Sequence, residues 1–550
     1  MPFPDLIIEN AEVLSPAGGA GAVAVTAGRI TAVSRTSLLA EAGPRTDVVD
    51  ARGATLLPGF TDAHVHPLAA GAQRLTCDLS GLPHSVPAYQ QRIAGYARAR
   101  PDLAWVSGNG WYGDAFPGGL PTREHIDEVV ADRPVVLVSH DCHGVWANSR
   151  ALELAGIDRN TPDPVGGRIN RDADGLPTGV LVERAGDLVT SLLPPVTAAF
   201  AEQALLEAQA HLHRLGVTGW QDAGLGPLWG LPDPLPTYLA LAESGRLTAR
   251  VVGALWWEAG EGLAQVDGLL ARRAGSTRER FRATTVKVMQ DGVCENCTGA
   301  MLAPYSGRPQ HGAAASGTSF IDPVELGEIC AELDRLDFQV HMHAVGDRAV
   351  RECLDAVAVA RARNPGRANR HQIAHLDVVD PTDVPRFAEL DVFANIQALW
   401  ARRDTEIVER KLPLLGPERE RHHFPFGALH RAGAQLAMGS DWPVTDPNPL
   451  WAIYTAVHRV GPPEDPHAVG PDARTRPLEI DQAIDLRTAL DAYTRGSAAA
   501  NGSDTDLGTV VVGKLADLVL LDRAVLGGED VSGALPVLTL VGGEAVHRTV

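Results

Sequence analysis

Short apolar runs recur through the middle of the chain, each ending in a polar residue and followed by a stretch of helical periodicity. The runs fall at 55–61, 218–222, 250–255, 285–289, 339–343, 371–375, 393–398 and 435–439. Between most of them lie amphipathic segments, 201–215 and 324–336 among them, with apolar residues at three- and four-residue spacing. Strands alternating with helices in this way predict an α/β chain folded as a (β/α)8 TIM-type barrel. A doubly wound open sheet is the competing arrangement, and counting strands does not exclude it.

Two regions break the pattern. About a hundred and fifty residues separate the first two runs, far more than an ordinary βα loop. That stretch has its own strand-like segment, Val135-Val-Leu-Val-Ser139, and predicts an inserted subdomain over the barrel mouth. The chain ends are β-rich: 6–14 and 22–30, the latter broken at Gly28, match 516–521 and 537–541. Neither end has enough strands to bury a core alone, so a small β-sandwich built from both termini is predicted. The expected organisation is 1–56 for the N-terminal part of the sandwich and 57–80 for the first barrel strand and its polar motif. The insert then takes 81–198, the rest of the barrel 199–504, and the C-terminal part of the sandwich 505–550.

Composition narrows the class. An apolar fraction of 45% with 21% charged residues suits a globular protein. The 48 Lys and Arg against 68 Asp and Glu give a net charge of −20, which argues against a nucleic-acid or anionic-membrane partner. No apolar run reaches the roughly 18 residues of a membrane span, and the first residues lack a basic and apolar leader pattern. The six cysteines are scattered and form no disulfide framework. A cytoplasmic enzyme acting on a small molecule is the expectation.

The polar residues that close the runs carry the candidate chemistry. The first ends in Pro58-Gly-Phe-Thr-Asp-Ala-His64-Val-His66. Alternate residues of an extended segment share a side, so His64 and His66 can converge on one metal ion or serve as a structural pair. The fifth ends in His341-Met-His343-Ala-Val-Gly-Asp347, the sixth in Ile373-Ala-His375 and the eighth in Gly439-Ser-Asp441-Trp-Pro. Barrel enzymes place their active sites at such C-terminal strand ends. Lys287 lies inside an apolar run, where an unpaired ammonium is costly. It is either exposed at the strand end or chemically modified.

The ordered set of His-x-His, Lys, His, His and Asp resembles the amidohydrolase superfamily. The wording around it resembles the branch of the N-substituted formamide deformylases, metal-dependent amidohydrolase family 3. Asp141-Cys-His143-Gly-Val-Trp-Ala-Asn148 and Asp174-Gly-Leu-Pro-Thr-Gly-Val-Leu-Val-Glu183 in the insert share that resemblance. It implies zinc held by His64, His66, His343, His375 and Asp441, with Lys287 as a carboxylated lysine bridging a second zinc. One or two Zn2+ are therefore expected, two if Lys287 is carboxylated. Asp441 would be the catalytic general acid/base, and a homodimer is a further expectation. His343 is preferred to His341 because it directly precedes Ala-Val-Gly-Asp, leaving His341 as a supporting or structural residue.

The implied reaction is hydrolysis of a non-peptide C–N bond in an amide, N-formyl compound or cyclic amide. Deamination or lactone and ester hydrolysis at the same metal site is the alternative, and a non-catalytic barrel used for binding or assembly is the reading from another class. The sequence departs from the branch at Val293-Cys294-Glu295-Asn-Cys297. Cys294 and Glu295 are expected near the substrate, with His143 and Trp442. The two cysteines can be a redox pair or a metal knuckle, but without a second such pair they read better as reduced pocket or core thiols.

Overall fold

In the computed structural model, residues 1, 2, 17, 165, 307–314 and 529 lie outside the described part of the chain. Eight parallel strands pair in sequence order: β1 (Phe60–Val65), β2 (Val217–Leu225), β3 (Arg250–Trp256), β4 (Phe281–Met289), β5 (Gln339–Ala344), β6 (Gln372–His375), β7 (Phe393–Ile396) and β8 (Gln435–Met438). Buried on both faces, they read as near-continuous apolar runs, and every residue of β2 is buried. Beyond β8 the backbone N–H of Asp441 donates to the carbonyl of His64 at 2.7 Å, drawing the last strand against the first. The sheet thus forms a nearly closed barrel, as the alternating runs predict.

Helices wrap the outside because their apolar stripes have nowhere else to go. The helix Ala198–Arg214 starts where the Thr197 side chain accepts from the N–H of Phe200, and it buries Ala201, Ala204, Leu205, Ala208 and Leu212. The helix Pro323–Arg335 starts at Asp322, whose carboxylate caps Val324 and Glu325.

The run 55–61 is not one strand. Thr55–Pro58 pairs antiparallel with Leu518–Leu521, and the chain enters the barrel only after Gly59. A Cβ at Gly59 would lie 2.4 Å from the Thr218 side chain, so the crossing between the two sheets requires glycine. The run 6–14 splits likewise at Asn10, whose φ of 54° sends Leu6–Glu9 and Glu12–Val13 into different sheets. One sheet has four strands and the other five, the latter drawing Thr55–Pro58 and Leu518–Leu521 from opposite ends of the chain. Leu6, Ile8, Val25 and Val49 meet Leu56, Leu518, Leu520 and Leu538 in one apolar core, the sandwich expected from the β-rich termini.

Between β1 and β2 lies a six-stranded sheet that includes Val106–Trp111, Val135–Ser139 and Gly144–Ala147. Among the described residues no helix is long and apolar enough to cross a membrane.

Candidate metal centre and active site

Residues alternate along β1, so Asp62, His64 and His66 share the side that Ala63 and Val65 turn away from. The Nε2 atoms of His64 and His66 each lie 3.3 Å from Oδ1 of Asp441, which follows β8. His375 Nδ1, at the end of β6, lies 3.9 Å from the other Asp441 oxygen. His343 stands beside His375 with ring centroids 4.3 Å apart. The amine of Lys287, on β4, is 3.4 Å from His64 Nε2. Asp62 holds this end together by accepting from the N–H groups of His64 (3.0 Å) and Ser440 (3.1 Å).

The hydrogen bonds fix which nitrogens carry lone pairs. Gln339 Nε2 donates to the carbonyls of Arg370 and Ala500, so its Oε1 is left to accept from Gln221 Nε2 at 3.0 Å. Gln221 Oε1 therefore accepts, from Gln372 Nε2 and from His341 Nδ1. A neutral His341 then presents a bare Nε2 to His64 Nδ1 at 2.8 Å, and His64 donates there. The result is a His64 Nε2 lone pair facing Lys287 and Asp441. His343 Nε2 donates to the Gly292 carbonyl at 3.1 Å, which leaves its lone pair on Nδ1.

These groups suit a metal ion. Burial, reinforced by Lys287, drives His64 well below its ordinary value and His343 to about 3. Burial, reinforced by His343, lowers His375 as well. Neutral imidazoles are the form that binds metal. Burial alone would raise Asp441, but the hydrogen bond from His66 holds it below the usual carboxylate value. His375 Nδ1 is buried without a hydrogen-bond partner, an expense that a cation at this point removes. Among the described residues, His64, His375 and Asp441 are the one group whose ligand atoms all lie within 4.8 Å of one another. Burial also lowers Lys287 to about 7 against the opposing pull of Asp441, so its amine is available in the neutral form that adds CO₂.

The centre opens into a cavity of about 790 Å³ of empty volume. His343 and Asp441 line its floor, Tyr112, His140, Asp141 and His143 come from the insert, and Glu295 from the loop after β4. His143 is 3.0 Å from Glu183; burial would depress it, but that carboxylate raises it to about 10, so it is cationic at neutral pH.

The structure brings His64, His66, Lys287, His343, His375 and Asp441 together, and puts His143 and Glu295 on the cavity wall. Two other residues expected near substrate stand apart. Cys294 is fully buried in the main apolar core, because the turn Cys294–Asn296 directs it inward and Glu295 outward. Trp442 packs against His211, with centroids 5.1 Å apart, while its carbonyl accepts from the N–H of His66. Asn148 caps the helix Ser149–Leu154. All six cysteines are free thiols.

Reading the sequence missed Asp377, Glu406 and Lys411, which all line the cavity. Asp377 follows β6 closely, and that strand-end position was the signal available. Glu406 and Lys411 sit farther along the β7–β8 connection, where position says nothing.

Comparison with known proteins agrees with this picture. Residues 47–547 match the amidohydrolase family. The chain is 31% identical over 556 residues to Protein LONG AFTER FAR-RED 3 of Arabidopsis thaliana, covering 99% of this chain and 91% of that one. It is 28% identical to the N-substituted formamide deformylase of Arthrobacter pascens, covering 94% and 93%. An uncharacterized metal-dependent hydrolase from Pyrococcus horikoshii OT3 has the same fold, with a TM-score of 0.72 at 23% identity over 98% of this chain and 99% of that one.

Proposed function

The chain belongs to the amidohydrolase family, and from that premise we propose that it is a cytoplasmic, zinc-dependent hydrolase cleaving a non-peptide C–N bond in a small molecule. The observation that carries this reading is the convergence of His64, His66 and His375 on Asp441, which together with His343 lines a large cavity, and the His375 Nδ1 left unpartnered. His64, His66, His343, His375 and Asp441 would hold the metal. A carboxylated Lys287 would add two oxygens beside His64, enough to bridge a second zinc. Imidazole and carboxylate donors without thiolates are the ligand set of catalytic zinc sites.

Bound zinc supplies an acidified water at neutral pH and polarises the substrate carbonyl. Asp441, kept ionised by the hydrogen bond from His66, takes the proton from the attacking water at a carboxylate oxygen. It then returns that proton to the departing nitrogen, which leaves as an amine. His64 keeps its lone pair on the metal side throughout, because Gln221 and His341 fix its tautomer. The insert covers the cavity with Tyr112, His140 and His143, restricting water access to the reacting carbon.

Asp441→Asn keeps the shape but removes the proton acceptor. Turnover of N-formyl and N-acyl amines by zinc-loaded enzyme should fall by about 10²–10⁴-fold with metal content retained. Activity within a few-fold of the unsubstituted enzyme sinks the assignment.

A further inference from the structure

The cavity wall shows which charge its occupant carries. Among the described residues, every cation lining it is already engaged. Lys411 Nζ pairs with Glu295 at 2.8 Å and with Asp377; Arg402 pairs with Asp404 at 3.0 Å and with Asp465; His143 pairs with Glu183. An anionic substrate would have to break one of these buried pairs, leaving a carboxylate uncompensated.

The acids are less satisfied. Glu406 Oε2 and Asp377 Oδ1 are buried and accept no hydrogen bond, and the Asp377 side chain is only 1% exposed. Both residues line the cavity. A buried carboxylate oxygen without a donor forfeits its hydration for nothing. Glu406 pairs with Arg410 through Oε1 alone, leaving Oε2 for another donor.

A small inorganic cation does not fit this need. Among the described residues, no three of these carboxylates bring oxygens within metal-binding reach of one another. An organic cation, with N–H groups spread over several ångströms, does fit. A guanidinium donates through five N–H groups fixed in its own plane.

We propose that the substrate is a cationic amide, with the hydrolysable C–N bond at one end and a guanidinium or ammonium group at the other, received by Glu406 and Asp377. This rests on the hydrolase reading above. Water adds across the C–N bond, the carbonyl carbon gaining the hydroxyl and the nitrogen the proton, with no redox change.

The test uses four N-formyl alkylamines of equal length ending in guanidinium, ammonium, methyl or carboxylate. Calorimetric titration of zinc-loaded Asp441→Asn protein measures their binding without turnover. The guanidinium compound should bind at least roughly tenfold more tightly than the methyl one, with the carboxylate weakest. Adding Glu406→Gln should shrink the guanidinium-to-methyl ratio to about threefold or less. The inference is overturned if the methyl or carboxylate compound binds as tightly as the guanidinium one, if a folded Glu406→Gln protein leaves the ratio unmoved, or if none of the four binds. The ranking alone decides the matter if Glu406→Gln folds poorly.

Turnover by the unsubstituted enzyme separates the two readings. Preferential hydrolysis of the methyl compound removes the cation inference and leaves the hydrolase. The predicted binding order without hydrolysis of any member removes the hydrolase and leaves the cation site.

Discussion

His64 offers its Nε2 lone pair to the centre because a glutamine two residues away in the network, Gln221, can only accept where it meets His341. Supporting partners of this kind commonly set metal affinity by one to two orders of magnitude. Gln221→Leu should therefore weaken zinc binding by about 10–100-fold in a competitive chelator titration, with far-ultraviolet circular dichroism unchanged. An unaltered affinity would show that His64 needs no such guide. At this scale the sequence was legible where a motif is contiguous. His64 lies on β1 with His66 just past its end, and His343 precedes its own turn. Gln221 was illegible because its partners come from β4, β5 and β6, with Asn501 beyond β8. Cys294 and Glu295 show the same limit: neighbours in sequence, they face the core and the cavity respectively, and only the turn between them decides which.

Elements were read well where burial makes the pattern strong, and badly where the chain changes sheets. The parallel strands stand out because both faces are apolar, whereas Thr55–Pro58 and β1 form one unbroken apolar run divided only by Gly59. The helix Ala198–Arg214 shows what such docking costs. Near its C-terminus, His213 Nδ1 donates to the Val217 carbonyl at 2.9 Å, Nε2 meets the Thr248 hydroxyl at 2.8 Å, and its own carbonyl accepts from Thr539 of the sandwich. Burial lowers His213 to about 4, below the ordinary 6.5 that it regains on unfolding. Because the folded value is the lower one, the unfolded chain binds a proton that the folded chain refuses once pH drops below 6.5. Stability from this site is therefore lost as pH falls towards 4, by about 3 kcal/mol in all. Denaturant unfolding of the unsubstituted protein and His213→Gln should show the stability gap narrowing by that amount between pH 6.5 and 4. A gap independent of pH would mean that His213 is not held neutral.

Across the whole molecule, the barrel supplies the centre, the insert and the β7–β8 connection supply the walls, and the two termini close a sandwich beside it. The barrel was readable because β/α alternation repeats, and the polar cluster at its mouth because those residues close successive strands. The walls were readable only at His143 and Glu295, because Tyr112, Glu406 and Lys411 reach the same cavity only after an insert and a long connection have folded. The central claim is that this mouth holds zinc. Plasma mass spectrometry on protein purified without chelator after zinc-replete growth tests it directly, alongside His375→Ala as reference. The account predicts at least one zinc per chain, two where Lys287 is carboxylated, and a clear loss in His375→Ala. Less than one zinc per chain in the unsubstituted protein, or the same content in His375→Ala, would contradict it.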